Sequence, residues 1–290
     1  MTIPLHAGLA PLAAAYDAYI CDLWGVLHDG VRAFPEAIDC LEHLRDAGAK
    51  IAVLSNAPRR AAEVEARMNE LGIAPGLYDF VLSSGEMAWR NLAERRDPWH
   101  AGLGRRAYHV GPKRDEGIQK GLDYEFVTEI SAADFLLNTG AHRTDSKLED
   151  YAEVLETGVR LSLPMICANP DLEVIRGGQR EICAGLLAQQ YETLGGEVRY
   201  HGKPFGEAYE ICLSELGLSD ASRTAALGDS LRTDIAGAQA AGIAPILIAG
   251  GIHAEALGIA EGETPNQQAV DRLCADAGLT PAACLPILRW

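Results

Sequence analysis

Short apolar runs alternate along this chain with longer segments in which apolar positions return every three or four residues. The first run, Ala18-Tyr19-Ile20-Cys21, delivers Asp22 into the bend Leu23-Trp24-Gly25-Val26-Leu27-His28-Asp29-Gly30, the pattern of a buried strand ending in a loop. Pro35 to Gly48 then reads as a helix: proline opens it, Ala37, Ile38, Leu41 and Leu44 recur at helical spacing, and glycine closes it. Lys50-Ile51-Ala52-Val53-Leu54 is a short buried strand ending at Ser55-Asn56. Arg59 to Leu71 is a second helix with a charged outer face, closed by Gly72, and Tyr78 to Leu82 is a third strand ending at Ser83-Ser84. Strands alternating with helices of this length predict right-handed crossovers and a parallel sheet.

From about Gly85 to Gly196 a second α/β block is expected, with Ala107–Gly111, Phe135–Asn138 and Pro164–Ala168 as its strands. From Val198 the first pattern resumes: a helix over Gly206–Gly217, a strand Thr224–Leu227, a helix Thr233–Gly242 and a strand Pro245–Ala249. The expected organisation is therefore a Rossmann-like sheet domain made of residues 1–84 and 197–290, interrupted by an inserted domain of residues 85–196. No internal repeat or low-complexity segment is visible.

A chain of 290 residues is long enough to bury a full core in one large or two smaller domains. Its formal net charge is −16, from 25 basic against 41 acidic residues, which argues against nucleic acid as a partner because phosphate backbones need clusters of Lys and Arg. Basic residues do gather between Arg90 and Arg106, but interleaved acids and prolines make that stretch read as a solvated face. The seven cysteines are scattered, odd in number and without a C-x-x-C pair, so they read as cytosolic thiols rather than a disulfide framework or zinc site. Met1 to Ala15 lacks a basic leader, and no uncharged stretch reaches the roughly 20 residues that span a bilayer. A cytoplasmic protein with no membrane association is expected.

The candidate chemistry falls at strand ends. Asp22 and Asp229, on adjacent parallel strands, would meet at one sheet edge and could hold a hard cation such as Mg²⁺. Asp22 has an ordinary alternative as a bend-capping residue. Asp234 is a further ligand or orienting group, or else a helix N-cap. Ser55 and Asn56 offer a hydroxyl and an amide to a phosphoryl oxygen, or simply start a helix. Lys203, in His201-Gly202-Lys203-Pro204, places a fixed ammonium where an otherwise acidic protein would need one.

These segments together resemble the haloacid dehalogenase (HAD) superfamily of aspartate-nucleophile hydrolases. The order Asp22 segment, Ser55-Asn56, Lys203 in G-K-P, then Gly228-Asp229 with Asp234 is similar to its four motifs and spans most of the chain. An insertion between the second and third motifs resembles class IIA, the branch with an α/β C2 cap that includes NagD-like and pyridoxal-phosphate phosphatases. Asn169-Pro170-Asp171 in the inserted block supports that reading.

The resemblance implies that Asp22 attacks phosphorus and forms an aspartyl-phosphate later hydrolysed by water. It implies Mg²⁺ held by Asp22, the backbone carbonyl of Trp24 and Asp229, with Asp234 in support, and phosphoryl oxygens held by Ser55, Asn56 and Lys203. Asn169 and Asp171 become candidates for selecting a small phosphorylated metabolite. It leaves a homodimer open.

One position departs from the family. The second aspartate, two residues after the nucleophile, is Trp24 here, and that aspartate is the acid–base group, worth typically about 10²–10⁴-fold. His28 or Asp29 could replace it, or could only shape the loop. Three readings follow: a Mg²⁺-dependent phosphatase with slow turnover or an unusual acid–base group; a phosphate- and metal-binding protein without turnover; and a carbon–halogen hydrolase, whose relatives also carry an aromatic at this position but need no metal.

Overall fold

The computed structural model describes residues 2–290. Its larger sheet contains β1 (Ala18–Cys21), β2 (Lys50–Ser55), β3 (Phe80–Ser83), β11 (Thr224–Gly228), β12 (Ala244–Ile248) and β13 (Ala283–Leu285), in the order β13-β12-β11-β1-β2-β3. Every pairing is parallel. The alternation of side chains along a strand divides its apolar residues between two helical layers. Tyr19 and Cys21 pack with Cys40, Leu41 and Met68 from the helices Pro35–Asp46 and Ala61–Glu70. Ala18 and Ile20 pack on the opposite face with Tyr209, Cys212 and Ala238 from the helices Gly206–Glu215 and Ala236–Ala240.

The second sheet, β10-β7-β6-β4-β5, is also parallel throughout. Its strands are β4 (Arg106–Val110), β5 (Glu125–Val127), β6 (Phe135–Asn138), β7 (Met165–Cys167) and β10 (Val198–Tyr200), all lying in the chain between β3 and β11. An antiparallel hairpin, β8 (Glu173–Arg176) and β9 (Gln179–Ile182), projects from it around Gly177-Gly178. The architecture is thus the expected α/β fold with two parallel sheets, one interrupting the other.

Three details differ from the sequence reading. The return to the first sheet, expected at residue 197, comes after Tyr200, because Val198 and Tyr200 pack beside β7 and make β10 an edge of the second sheet. The helix Ser84–Glu94 belongs to both cores: Met87 packs on the first sheet's cluster, Ala88 and Leu92 on the second's. The helix expected at Thr233 begins instead as a π-helical turn, Leu231–Ile235, before the α-helix Ala236–Ala240. A π turn of this kind often marks a functional site.

All seven cysteines are free and buried. Among the described residues no helix is long and apolar enough to cross a membrane. Four of the five arginines between 90 and 106 are matched to acids, Arg90 to Glu86, Arg96 to Glu94, Arg105 to Asp123 and Arg106 to Asp134, while Arg95 donates to Tyr124 Oη and to the Leu103 and Gly104 carbonyls.

Candidate active site

Strand register builds the site. Cys21 lies beside Leu227, so Asp22 and Asp229 leave adjacent strands at the same edge of the sheet. The Asp22 amide stays on the ladder, donating to Leu227 O at 2.8 Å. Asp234 arrives from the π-helical turn, where its Oδ2 accepts the Ser230 N–H at 3.0 Å; the side-chain cap of that turn is Ser230, whose Oγ accepts the Thr233 N–H. Asp234 is therefore not the N-cap considered as its alternative. One oxygen from each of Asp22, Asp229 and Asp234 lies within 4.8 Å of the others, and all three residues are buried.

Lys203 is the cation among them. Its Nζ donates to Asp22 Oδ1, sits 2.7 Å from Asp234 Oδ1, and donates to Leu54 O at 2.9 Å. Burial opposes the ammonium, but the attraction of Asp22 and Asp234 outweighs burial and holds its pKa well above the ordinary range. One ammonium cannot neutralise three carboxylates. Burial, and then repulsion from Asp234, push the Asp22 carboxyl up to about 8, and burial with repulsion from Asp22 raises Asp229 as well.

Asp22 and Asp229 each keep one oxygen free. Asp229 Oδ2 is held by the Ile252 N–H at 2.8 Å and Asp22 Oδ1 by Lys203, while Asp22 Oδ2 and Asp229 Oδ1 make no hydrogen bond among the described residues. Asp229 is enclosed by Gly25 and Gly251: a Cβ at either would collide with its Oδ2, and Gly25 also has φ +78°. Gly251 and the Ile252 amide were missed in the sequence, although Gly250-Gly251 after a predicted strand end was a visible signal.

Ser55 is 3% exposed, and its Oγ accepts the Ala57 N–H at 3.2 Å, leaving the hydroxyl proton free to donate. Asn56 is differently employed. Its Oδ1 accepts the Lys203 N–H at 2.8 Å, and its Nδ2 donates to Lys203 O at 3.2 Å and to Asp171 Oδ1 at 2.9 Å. Asn56 thus fixes the lysine loop to the loop after β7, and its amide is already occupied on both sides. Asn169 Oδ1 accepts the Asp171 N–H at 2.9 Å, which turns the Asp171 carboxyl toward the first sheet. Burial is the largest influence on that carboxyl and raises its pKa.

The Trp24 side chain is tied to the β8–β9 hairpin. Its Nε1–H donates to Ile175 O of β8 at 2.8 Å, the Arg176 guanidinium lies 4.6 Å from its ring centre, and Gly30 lies flat against the indole where a Cβ would clash. Its carbonyl accepts no hydrogen bond among the described residues. His28, 2% exposed, meets the indole edge to face, and its Nδ1 accepts the Gly30 N–H at 2.9 Å. Burial lowers its pKa to about 4, so it is neutral at pH 7. Asp29 Oδ1 accepts the Val31 and Arg32 N–H groups at 2.8 Å, an Asx-type closure of the turn.

Two cavities meet at Asp22, Trp24, Asp171 and Val174. One of about 770 Å³ extends past Phe34, Leu231 and Ile252. The other, about 100 Å³, runs past Ser55, Asn56 and Arg59. The nucleophile candidate is thus reached from two sides.

Comparison with known proteins agrees with this geometry. Residues 19–125 match the family described as haloacid dehalogenase-like hydrolase, and residues 200–276 match one described as HAD-hydrolase-like. Ribonucleotide monophosphatase NagD of Escherichia coli K12 is 28% identical over 239 residues, 80% of this chain and 87% of NagD. D-glycerol 3-phosphate phosphatase of Mycobacterium tuberculosis is 27% identical over 247 residues, 83% of this chain and 65% of that protein. A crystal structure of a haloacid dehalogenase-like hydrolase from Brucella suis 1330 superposes with a TM-score of 0.83 at 36% identity, covering 98% of this chain and all of that one. With two parallel sheets, acids at the tips of β1 and β11 and a lysine between them, this chain belongs to the haloacid dehalogenase-like hydrolase family, on its NagD-like branch.

Proposed function

We propose that the protein is a Mg²⁺-dependent phosphatase of a small phosphorylated metabolite, working through an aspartyl-phosphate on Asp22. The observation that carries this reading is the cluster of three buried carboxylates at the tips of β1 and β11, two of them paired with one ammonium. NagD and the mycobacterial glycerol phosphatase, both named for phosphate monoester hydrolysis, support it.

The residues present fit a divalent cation. The donor set is all oxygen, the negative charge exceeds what Lys203 can balance, and Asp22 and Asp229 each keep an oxygen unpartnered. Those two oxygens and the unpartnered Trp24 carbonyl would hold Mg²⁺, with Asp234 steadying Lys203 and the Ser230 amide. The ion, when bound, would offset the charge of the phosphoryl group and keep Asp22 ionised.

This chain's own groups do the remainder. Asp22 is positioned for attack because its backbone is still on the sheet ladder. Ser55 offers its hydroxyl proton to a phosphoryl oxygen. Lys203 has all three N–H donors engaged, so it contributes charge and a donor released from Asp22 as that carboxylate bonds to phosphorus. Asn56, occupied on both sides, positions Lys203 rather than contacting phosphate. His28 and Asp29, bound within their own turn, shape the loop under Trp24. Asn169 and Asp171 border the cavity mouth where a leaving group would lie.

Purified protein with Mg²⁺ and p-nitrophenyl phosphate, followed by a panel of phosphorylated metabolites, tests the reading. Hydrolysis is expected, with loss of all measurable turnover in Asp22→Asn. A flat panel together with tight Mg²⁺-dependent phosphate binding would instead favour the binding-protein reading, which the tied Trp24 indole specifically supports.

A further inference from the structure

The acid–base group of this site is missing from its usual position, and the residues nearest in sequence do not replace it. Trp24 carries no transferable proton toward the carboxylates, since its one N–H is spent on Ile175 O. His28 is sealed beneath the indole with Nδ1 occupied, and Asp29 closes its own turn. The second sheet supplies a different carboxyl.

Asp171 borders both cavities together with Asp22. Its Oδ1 is fixed by Asn56 Nδ2 at 2.9 Å, and the same Asn56 fixes the Lys203 backbone, so the carboxyl is held in register with the nucleophile. Its Oδ2 makes no hydrogen bond among the described residues and is not among their sealed, unpartnered atoms. It opens on the cavity. The loop behind it is firmly tied: Asp171 N donates to Asn169 Oδ1, Gly185 N donates to Asp171 O at 3.0 Å, and the Arg232 guanidinium, from the turn after β11, donates to Pro170 O.

We propose that Asp171 is the general acid and base of this enzyme, supplied by the inserted domain in place of the aspartate that Trp24 displaces. The proposal rests on the phosphatase reading. In the first step an Asp22 oxygen bonds to phosphorus and the ester P–O bond breaks. Its electron pair goes to the leaving oxygen, which takes the proton of the Asp171 carboxyl and departs as an alcohol. In the second step a water oxygen bonds to phosphorus while Asp171, now a carboxylate, takes its proton. The bond from phosphorus to Asp22 breaks, and its electron pair returns to Asp22. Phosphate leaves, and both residues regain their starting states.

The charged groups facing Asp171 act in both directions. Lys203 and Arg232 favour its carboxylate, whereas Asp22, Asp234 and burial favour the acid. The thiols of Cys167 and Cys183 beside it are pushed up by burial and stay neutral. A residue that must hold a proton in one step and accept one in the next is suited by such a balance.

Asp171→Asn keeps an oxygen for the Asn56 bond but cannot transfer the proton, and the leaving group then separates this role from a structural one. With p-nitrophenyl phosphate and Mg²⁺, whose leaving phenolate needs no proton, the variant is expected to release a rapid burst of about one equivalent per protein. Turnover then continues on the order of 10²–10⁴-fold more slowly than wild type, because hydrolysis of the aspartyl-phosphate lacks its base. With glycerol phosphate, whose alkoxide does need the proton, no burst is expected. Asp171→Glu should recover part of the steady-state rate.

Unchanged melting temperature and vanadate inhibition would show that Asp171→Asn retains the phosphate cradle. A burst and a steady rate that fall together, equal rates for the Asn and Glu variants, or a steady rate within about threefold of wild type would each overturn the role while leaving the phosphatase reading intact. Wild-type protein that releases no p-nitrophenolate would overturn both.

Discussion

The two parallel sheets end differently at their carboxyl edges. On the first, the strand tips present Asp22 and Asp229, with Asp234 one turn away, around a single Lys203. On the second, the ends of β4 and β6 carry neutral groups turned inward: Asn138 donates to Ala184 O at 3.0 Å and accepts from Gly140 N, while His109 Nε2 pairs with Thr139 Oγ1 at 2.8 Å. Two parallel sheets thus yield one edge with unbalanced charge and one where Asn138, His109 and Thr139 are partnered, although His201 Nδ1, just after β10, is buried without a partner among the described residues. What distinguishes a site from scaffolding here is the surplus, and Asp171, in the loop after β7, is the residue by which the second sheet adds to the first one's surplus.

The comparison breaks most readily at Lys203. Lys203→Met leaves three buried carboxylates without their cation, and a loss of about 3–5 kcal/mol is expected in urea unfolding without divalent metal. Added Mg²⁺ should recover much of that loss, and a failure to recover it would remove the metal from the account. Asn138→Ala, at the other edge, orphans Ala184 O and should cost about 1–3 kcal/mol. Mg²⁺ should give this variant no stabilisation beyond what it gives wild type.

Acid should loosen the second region. Burial lowers the pKa of His201 to about 3 and that of His109 to about 4, so both are neutral when folded and gain a proton on unfolding. The unfolded chain then binds more protons than the folded one below about pH 6.5, so their contribution is complete above that pH. It falls as pH drops toward 4, by up to about 1.4 kcal/mol per pH unit for each histidine. Denaturation midpoints between pH 7 and 4.5 measure the slope. His201→Gln, which removes the titrating ring that faces His100 Nε2 at 3.2 Å, should flatten it. Trp24→Phe tests one tie between the two regions, the indole N–H bond to Ile175 O, and should cost about 1 kcal/mol in the same measurement, the smallest of these effects.

Much of the first sheet was legible because burial on both faces writes itself as short apolar runs, and a carboxylate after such a run marks the strand tip. Asp22 and Asp229 were found that way, whereas Asp234 was read from the start of the following helix and Lys203 from its place in the turn His201-Gly202-Lys203-Pro204. What the sequence did not disclose depends on partners far along the chain. Asn56 was read as a phosphate ligand because an amide at a strand tip suits that task, yet Lys203 and Asp171 occupy it. The β8–β9 hairpin escaped notice because Glu173 to Ile182 mixes charged and apolar residues, although Gly177-Gly178 was a turn signal. The place of β10 was misjudged because a three-residue edge strand carries too little periodicity to say which sheet it joins. The destination of the Trp24 side chain lay beyond any local pattern.

That destination has a practical consequence. The indole links the loop after β1 to the β8–β9 hairpin, with its N–H on Ile175 O and the Arg176 guanidinium over its ring. Movement of the hairpin away from that loop would take the ring out of this polar grip and into water. The difference in emission between the native protein and its Trp24→Phe counterpart is therefore an optical gauge of opening, available without any attached label.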